Sequence, residues 1–175
     1  MRKILAFLPD ELTKELSTED TAVLEEFDGH APEIAVIGTG KNQHRQAFLE
    51  TDATEWWTET MRRSSALFEV ARTVGTAMAA AGRGRIVFVV AEAGVSGQAD
   101  ASVDAAVASA AIALTKSLAR ELAPAGVAVN AVTVADGVGT PAQLAEAVGL
   151  LADERLPSLV GQIVSASAGR TRTRI

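Results

Sequence analysis

The chain has 175 residues, of which 48% are hydrophobic and 22% charged, with a formal net charge of −6 and no cysteine. A chain of this length forms one domain with a sizeable core, and we treat residues 1–175 as a single domain because no repeat or linker divides them. The acidic balance argues against nucleic acid as a partner, and the lack of thiols excludes disulfides and thiolate chemistry.

Two buried strands are predicted in the first part of the chain. Residues 3–8 (KILAFL) and 34–37 (IAVI) are continuous apolar runs. The basic start lacks a small-residue cleavage site, so we interpret it as leading into a strand, not as a signal peptide, and expect a cytoplasmic protein. The acidic stretch of residues 11–32 predicts one or two short helices, with Thr18 or Asp20 as a cap.

The rest of the chain alternates helices with strands. Helices are predicted over residues 54–81, 102–122 and 141–152. Strands that are apolar on both faces are predicted over residues 86–90, 127–134 and 160–166. This alternation predicts the α/β class, with a parallel sheet and helices on both faces.

The most unusual helix contains residues 105–115 (AAVASAAIALT), which are small or aliphatic on every face and carry no charge. A surface helix would show a polar stripe, so we predict burial on two sides. The stretch extends about 16 Å as a helix, which is too short to cross a bilayer. We therefore expect no membrane contact, and a protein helix on the second side.

Four segments of the second half carry a family resemblance: GRIVFVVAEAG, ALTKSLARELAPAGVAVNAV, GTPAQLAEAVGLLADE and LVGQIV. In this order they closely resemble the short-chain dehydrogenase/reductase (SDR) family, over roughly residues 34–168. The resemblance implies a Rossmann-like parallel sheet. It also implies that the two long helices form a four-helix dimer interface. The stretch between residues 8 and 34 is too short for the usual N-terminal mononucleotide-binding half, which we predict to be shortened.

The family's catalytic residues are replaced in this chain. Counting back from ALTKSLAREL, the resemblance places the tyrosine at Asp104, the lysine at Ala108, the serine at Ala91 and the helix-borne asparagine near Arg63. An Asp cannot act as the tuned phenol of a dehydrogenase, and Ala108 offers no ammonium group to assist it. We therefore predict no dehydrogenase catalytic residue. Asp104 and Arg63 are predicted to form a buried ion pair or, alternatively, to serve a different reaction.

The cofactor turn is missing as well. After the first strand come residues 8–11 (LPDE), which place two carboxylates and no glycine where a pyrophosphate would bind. The family's substrate lid is reduced to about residues 135–140. We expect no cofactor in this chain, and NAD or NADP in a catalytic partner.

Other polar candidates have ordinary interpretations. The Gly38-Thr39-Gly40 turn, followed by Lys41, is not a Walker sequence, and we interpret it as a structural turn with phosphate binding as the alternative. His30 and His44 lack partners at ligand spacing, so no metal site is predicted.

Two further groups of residues suggest contacts with partners. Of Trp56 and Trp57, one is assigned to the core and the other to a contact surface. The basic tail, residues 168–175, is predicted to be mobile, with Arg170, Arg172 and Arg174 available to an acidic or phosphate group of a partner. The predicted interface residues are small, aromatic or aliphatic: Trp57, Phe68, Ala105, Ala106, Ala110, Ala113 and Ile163.

The sequence thus leads to one main hypothesis, a non-catalytic SDR-like subunit, or pseudoenzyme. It would assemble with a catalytic NAD(P)-dependent SDR subunit as a heterodimer or α2β2 heterotetramer and stabilise it within an oxidoreductase complex. One alternative is non-redox chemistry, such as isomerisation, cyclisation or dehydration, that uses Asp104 and Arg63. Another is a homodimeric scaffold that binds a small ligand at the Gly38 turn.

Overall fold

The computed structural model describes residues 2–7, 14–16, 21–24, 26–39, 45–135, 137 and 140–169. Its strands are β1 Arg2–Phe7, β2 Thr21–Leu24, β3 Ile34–Gly38, β4 Gly84–Ala91, β5 Val127–Val134 and β6 Ile163–Ala166. Its helices are α1 Ala53–Ala81, α2 Ala93–Ser96, α3 Ser102–Leu122 and α4 Pro141–Leu151, with 3-10 turns at Phe48–Glu50 and Ala123–Ala125.

The strands form one 6-stranded sheet in the order β2-β1-β3-β4-β5-β6. Every neighbouring pair runs parallel. β4 and β5 lie in the interior of the sheet and are almost entirely buried, because helices cover both faces. The prediction of a Rossmann-like α/β fold is therefore confirmed.

The prediction of one or two short helices between the first two apolar runs missed a strand. Residues 14–16 are helical, but Thr21–Leu24 form β2, which pairs with β1. A strand of only 4 residues has too little periodicity to identify it, and pairing with β1 is what orders it. Thr18 and Asp20, the predicted caps, lie outside the described residues. The first half therefore contains a strand that the sequence analysis did not predict.

The core has two layers, one on each face of the sheet. On one face, α1 and α3 pack against the strands through Leu67, Ala71, Val74, Met78, Ala108, Ala111, Ile86, Phe88 and Val129. On the other face, α4 packs through Val148, Leu151, Val36, Val87 and Val132. The two long helices thus lie side by side on one face.

Local sequence signals set the ends of these helices. Asp52 caps α1 by accepting hydrogen bonds of 2.9 Å from the backbone N–H groups of Thr54 and Glu55. Gly82 ends α1 with φ 69°, a left-handed conformation that favours glycine. Thr140 and Gln143 form a capping box at the start of α4.

β6 begins at Ile163, three positions later than predicted. Gly161 has φ 74°, which is outside strand geometry, and its N–H donates to the carbonyl of Val129. The side chain of Asn130 fixes this turn, because its Nδ2 donates to the carbonyl of Leu159 at 2.8 Å and its Oδ1 accepts from Gln162 N–H at 2.9 Å. The turn therefore delays the start of the strand.

α3 is buried on one side within this chain. Val107, Ala108 and Ala111 face the core, whereas Ala110 and Ala113 on the other side are exposed. By length and composition alone, residues 102–125 could cross a membrane. The same test is met by core helices of soluble proteins, and α3 forms part of the core here. We predicted that α3 is buried on two sides, but within a single copy of the chain the side that carries Ala110 and Ala113 is exposed.

Candidate functional site

The residues at the family's catalytic positions meet at the carboxyl edge of the sheet. β3 and β4 end there, and α3 begins there with Asp104 in its first turn. In doubly wound sheets this is the edge at which ligands bind. The sequence therefore places its candidate residues at the expected end of the molecule.

Arg63 and Asp104 form a buried ion pair, as predicted. Nη1 of Arg63 lies 2.7 Å from Oδ1 of Asp104, and the side chains are only 7% and 11% exposed. Nε and Nη2 of Arg63 also donate to the carbonyl of Thr39, at 3.3 and 2.9 Å. Because Thr39 directly follows β3, the guanidinium group links α1, α3 and the end of a strand.

This arrangement limits what the pair can do chemically. Each charge is removed from water and is paired with a group of the protein. Such pairing reduces the energetic cost of burying a charge. A guanidinium group already engaged with Asp104 and Thr39 is poorly placed to hold an anionic substrate group. The pair is therefore suited to linking structural elements.

The position of the family's lysine is closed by packing. Ala108 has no exposed surface. Gly94 of α2 lies so close to it that a Cβ atom built on Gly94 would be 2.7 Å from the Cβ atom of Ala108. The hydroxyl of Ser109 donates to the carbonyl of Gly94 at 3.1 Å, which holds α2 against α3. Ala91, at the serine position, ends β4 and is half-buried.

These observations test whether the site suits the dinucleotide that the resemblance implies. At the catalytic positions the described residues offer a methyl group at Ala91, another at Ala108, and a carboxylate paired with Arg63. Among the described residues, none at these aligned positions supplies a hydroxyl or an ammonium group to orient a nicotinamide and its substrate. The described part of the site does not fit the cofactor, and residues 8–11 of the cofactor turn lie outside it.

A second buried carboxylate, Glu92, was missed by the sequence analysis. It follows β4 and is 5% exposed. Its carboxylate accepts hydrogen bonds from the hydroxyls of Thr133 and Ser165, and Ser165 is bonded to Ser167. The available signal was an isolated acid directly after a buried parallel strand, at the edge where ligands bind.

The predicted interface residues are mostly exposed on the outer faces of the two long helices. Trp57 and Phe68 on α1 are 61% and 50% exposed, and Ala110 and Ala113 on α3 are exposed. The other predicted members are half-buried: Ala105, Ala106 and Ile163.

The two tryptophans differ in the way that the sequence suggested. Trp56 is half-buried, and its Nε1 donates to the hydroxyl of Ser102 at 3.1 Å, whereas Trp57 points outward. The sequence analysis missed a further exposed apolar pair before α1, since Phe48 is 77% and Leu49 93% exposed. This part of the chain therefore exposes three large apolar side chains, Phe48, Leu49 and Trp57.

The remaining candidates contribute little to the described site. Gly38 ends β3, and Thr39 is buried. The side chain of His30 is 81% exposed and lies near Asp28. Within the described ranges no group of three or more His, Cys, Asp or Glu residues could hold a metal ion. The described residues do not include Gly40, Lys41, His44, the arginines of the tail or residues 136, 138 and 139 of the reduced lid.

Comparison with known proteins identifies relatives of the chain. The family model described as short chain dehydrogenase matches residues 16–145. Nodulation protein G of Azospirillum brasilense is 39% identical over 85 residues, which cover 49% of this chain. The chain matches only 35% of that protein's length.

Solved structures share the fold. A halohydrin dehalogenase bound to ethyl (2S)-oxiran-2-ylacetate superposes with a TM-score of 0.79 at 16% identity, covering 100% of this chain and 99% of its own. Acetoin dehydrogenase from Salmonella typhimurium gives 0.72 at 23% identity, covering 79% and 64%. A putative NAD(P)-dependent gluconate 5-dehydrogenase from Beutenbergia cavernae, with bound NADP, gives 0.68 at 24% identity, covering 80% and 66%. At these identities the similarity concerns the fold.

Proposed function

This chain belongs to the short-chain dehydrogenase family, and from that membership we propose that it is a non-catalytic subunit of an oxidoreductase complex. It assembles with a catalytic, NAD(P)-dependent member of the same family and stabilises it. The cofactor and the catalytic residues belong to the partner. The observation that carries this proposal is the buried ion pair between Arg63 and Asp104, which stands where the family's enzymes carry out proton transfer.

The loss of catalytic groups supports the first half of the proposal. Hydride transfer to or from a carbonyl needs a group that donates or accepts a proton near the reacting oxygen. At that position the chain has Asp104 engaged with a guanidinium group, and the neighbouring position is a fully buried Ala108. These substitutions remove the reaction and leave the fold intact.

The exposed apolar surface supports the second half. Trp57, Met61 and Phe68 follow one another along the outer face of α1, at 61%, 43% and 50% exposure. The adjacent face of α3 presents Ala110 and Ala113. Several exposed large apolar side chains on one helix face favour a contact surface, and small side chains on a neighbouring helix let a partner approach closely.

The test is co-expression of the tagged chain with the intact family members encoded by the same genome, followed by native mass spectrometry. We expect a complex that contains both kinds of subunit in equal numbers. Ala110→Glu places a charge on the exposed face of α3 and should abolish the complex without unfolding the chain. Ala142→Glu on the exposed side of α4 is the matched control and should leave the complex intact.

Two results would contradict the proposal. The first is a stable homo-oligomer that ignores every intact family member. The second is an activity of the isolated chain that Asp104→Ala abolishes, because that result would favour the alternative of non-redox chemistry with Asp104 and Arg63. The subunit hypothesis expects Asp104→Ala to alter stability and to leave the partner's turnover unchanged.

A further inference from the structure

A cluster of side-chain oxygens lies at the carboxyl edge of β4, β5 and β6, apart from the Arg63–Asp104 pair. Glu92 supplies a carboxylate, and Thr133, Ser165 and Ser167 supply hydroxyls. Oγ of Ser165 is 3.3 Å from Oε1 and 3.4 Å from Oε2 of Glu92. It is also 2.9 Å from Oγ of Ser167. Residues at the ends of three neighbouring strands therefore form one hydrogen-bonded cluster of side-chain oxygens.

The carboxylate in this cluster has no cationic partner among the described residues. Within the described ranges, the hydroxyls of Thr133 and Ser165 donate hydrogen bonds to it. Glu92 is 5%, Thr133 0% and Ser167 3% exposed. Burial of a carboxylate is unfavourable unless a compensating charge accompanies it. Ser165 is exposed, so the cluster can be reached from solvent on that side.

We propose that Glu92, Thr133, Ser165 and Ser167 bind a monovalent cation with the size of Na⁺. Carboxylate and hydroxyl oxygens are hard ligands, which suit alkali and alkaline-earth ions. The hydroxyls of Thr133 and Ser165 keep lone pairs for a cation while their protons serve neighbouring oxygens. One positive charge balances the single carboxylate, whereas a divalent ion would leave a net charge buried in the site.

Two of the oxygen separations in the cluster agree with an ion of this size, whereas Thr133–Glu92 and Ser165–Ser167 are closer hydrogen-bond contacts. Ca²⁺, whose radius is nearly that of Na⁺, binds oxygens at about 2.4 Å, and ligands at right angles around it lie about 3.4 Å apart. The separations between Ser165 and the two carboxylate oxygens of Glu92 are 3.3 and 3.4 Å. A bound ion would join β6 to β4 and β5. Na⁺ should therefore stabilise the fold.

The experiment compares the thermal unfolding midpoint of the full chain in sodium chloride and in choline chloride at equal ionic strength. We expect a saturable rise of several degrees with Na⁺, because an ion that binds only the folded state raises its stability. The rise should be smaller with K⁺. Broadening of the ²³Na nuclear magnetic resonance line by the protein gives an independent measure of binding.

Variants assign the effect to this cluster. Glu92→Gln keeps the shape and loses the charge, so the response to Na⁺ should disappear, whereas Glu154→Gln on the exposed loop after α4 should keep it. If Glu92→Gln does not fold, Ser165→Ala removes one exposed ligand and should shift the half-saturating Na⁺ concentration upward at least several-fold.

Three outcomes would overturn the proposal. One is an identical midpoint in sodium and choline chloride with no line broadening. Another is a Na⁺ response that survives in Glu92→Gln or is unchanged in Ser165→Ala. The third is a response to Ca²⁺ with none to Na⁺, which would exclude a monovalent ion.

Discussion

Arg63 and Asp104 stand at positions that the family resemblance aligns with catalytic residues, and in this chain they form a buried ion pair. The guanidinium group connects α1 to α3 through Asp104 and to the end of β3 through the carbonyl of Thr39. Because both charges are removed from water, their attraction is largely offset by desolvation. Removal of one partner should therefore be much more harmful than removal of both.

A double-mutant cycle tests this expectation. Arg63→Met leaves the carboxylate of Asp104 buried beside an apolar side chain, and should lower the free energy of unfolding by about 3 kcal/mol. Combining it with Asp104→Leu should recover much of that loss. Urea denaturation followed by circular dichroism measures both.

The neighbouring residue provides the control. Arg62 is exposed and pairs with Glu59 on the surface at 2.7 Å. Its hydrogen bond lowers the pKa of Glu59. Arg62→Met should have no detectable effect on unfolding, since exposed pairs contribute little. Equal effects of Arg62→Met and Arg63→Met, or strict additivity in the cycle, would show that the buried pair has no special role.

Thr60 provides a second test of a single side chain. The residue is only 8% exposed, and its hydroxyl has no hydrogen-bond partner among the residues that the structure describes. Thr60→Val removes this unpaired group at nearly constant volume, and should raise the free energy of unfolding by about 1 kcal/mol. Thermal or urea unfolding provides the measurement.

Thr115 is the matched control for Thr60. It is fully buried in helix α3, and its hydroxyl donates to the carbonyl of Ala111 at 2.8 Å. Thr115→Val loses that hydrogen bond and should destabilise the fold by about 1 kcal/mol. The same sign for the two substitutions would refute the assignment of an unpaired hydroxyl at Thr60.

The contact between α2 and α3 depends on small side chains. Gly94 lies against Ala108 and the backbone at Ser109, so that α2 approaches α3 more closely than any larger residue would allow. This contact closes the position of the family's lysine. It also directs the chain from the end of β4 into α3.

Gly94→Ala should therefore be destabilising. A Cβ atom at this position would lie within 2.9 Å of the backbone of Ala108 and Ser109, and such overpacking typically costs about 1–3 kcal/mol. Gly149 in α4 is the control, because a Cβ atom there meets nothing within 4 Å. Gly149→Ala should stabilise the helix by about 0.5–1 kcal/mol. Equal tolerance of both substitutions in urea unfolding would contradict the packing argument.

The molecule as a whole combines a well-packed family fold with an apolar outer surface. Two core layers enclose the sheet, while aromatic side chains of α1 and alanines of α3 remain uncovered on the same face. At the positions aligned with the family's catalytic residues, the described chain has Ala91, Ala108 and an Asp104 that is paired with Arg63. This combination is the basis of the proposed role in assembly.

A thermal-shift titration with NADH and NADPH tests the expectation that the isolated chain binds no dinucleotide cofactor. We expect no change in the unfolding midpoint at millimolar concentrations, because the described site supplies no group to orient the nicotinamide. An intact dehydrogenase of the same family, titrated in parallel, should show a clear rise. A saturable rise for this chain would overturn the expectation that it lacks a cofactor.

The sequence by itself determined the alternation of strands and helices, and with it the parallel sheet. Apolar runs such as those of β4 and β5 are covered on both faces, and that requirement is visible in composition. The sequence also shows that the family's tyrosine and lysine are replaced, because the residue at each aligned position can be read directly from the sequence. The meeting of Arg63 and Asp104 followed from the family's known arrangement.

Only the tertiary structure decided the rest. β2 is a strand because β1 lies beside it, and a segment of 4 residues carries no period of its own. The partners of Glu92 lie 41 and 73 positions away in the chain. Such contacts depend on the order of strands in the sheet, and local sequence does not encode that order. The topology of the sheet therefore determines the surroundings of a buried carboxylate, although the residue itself is easily identified in the sequence.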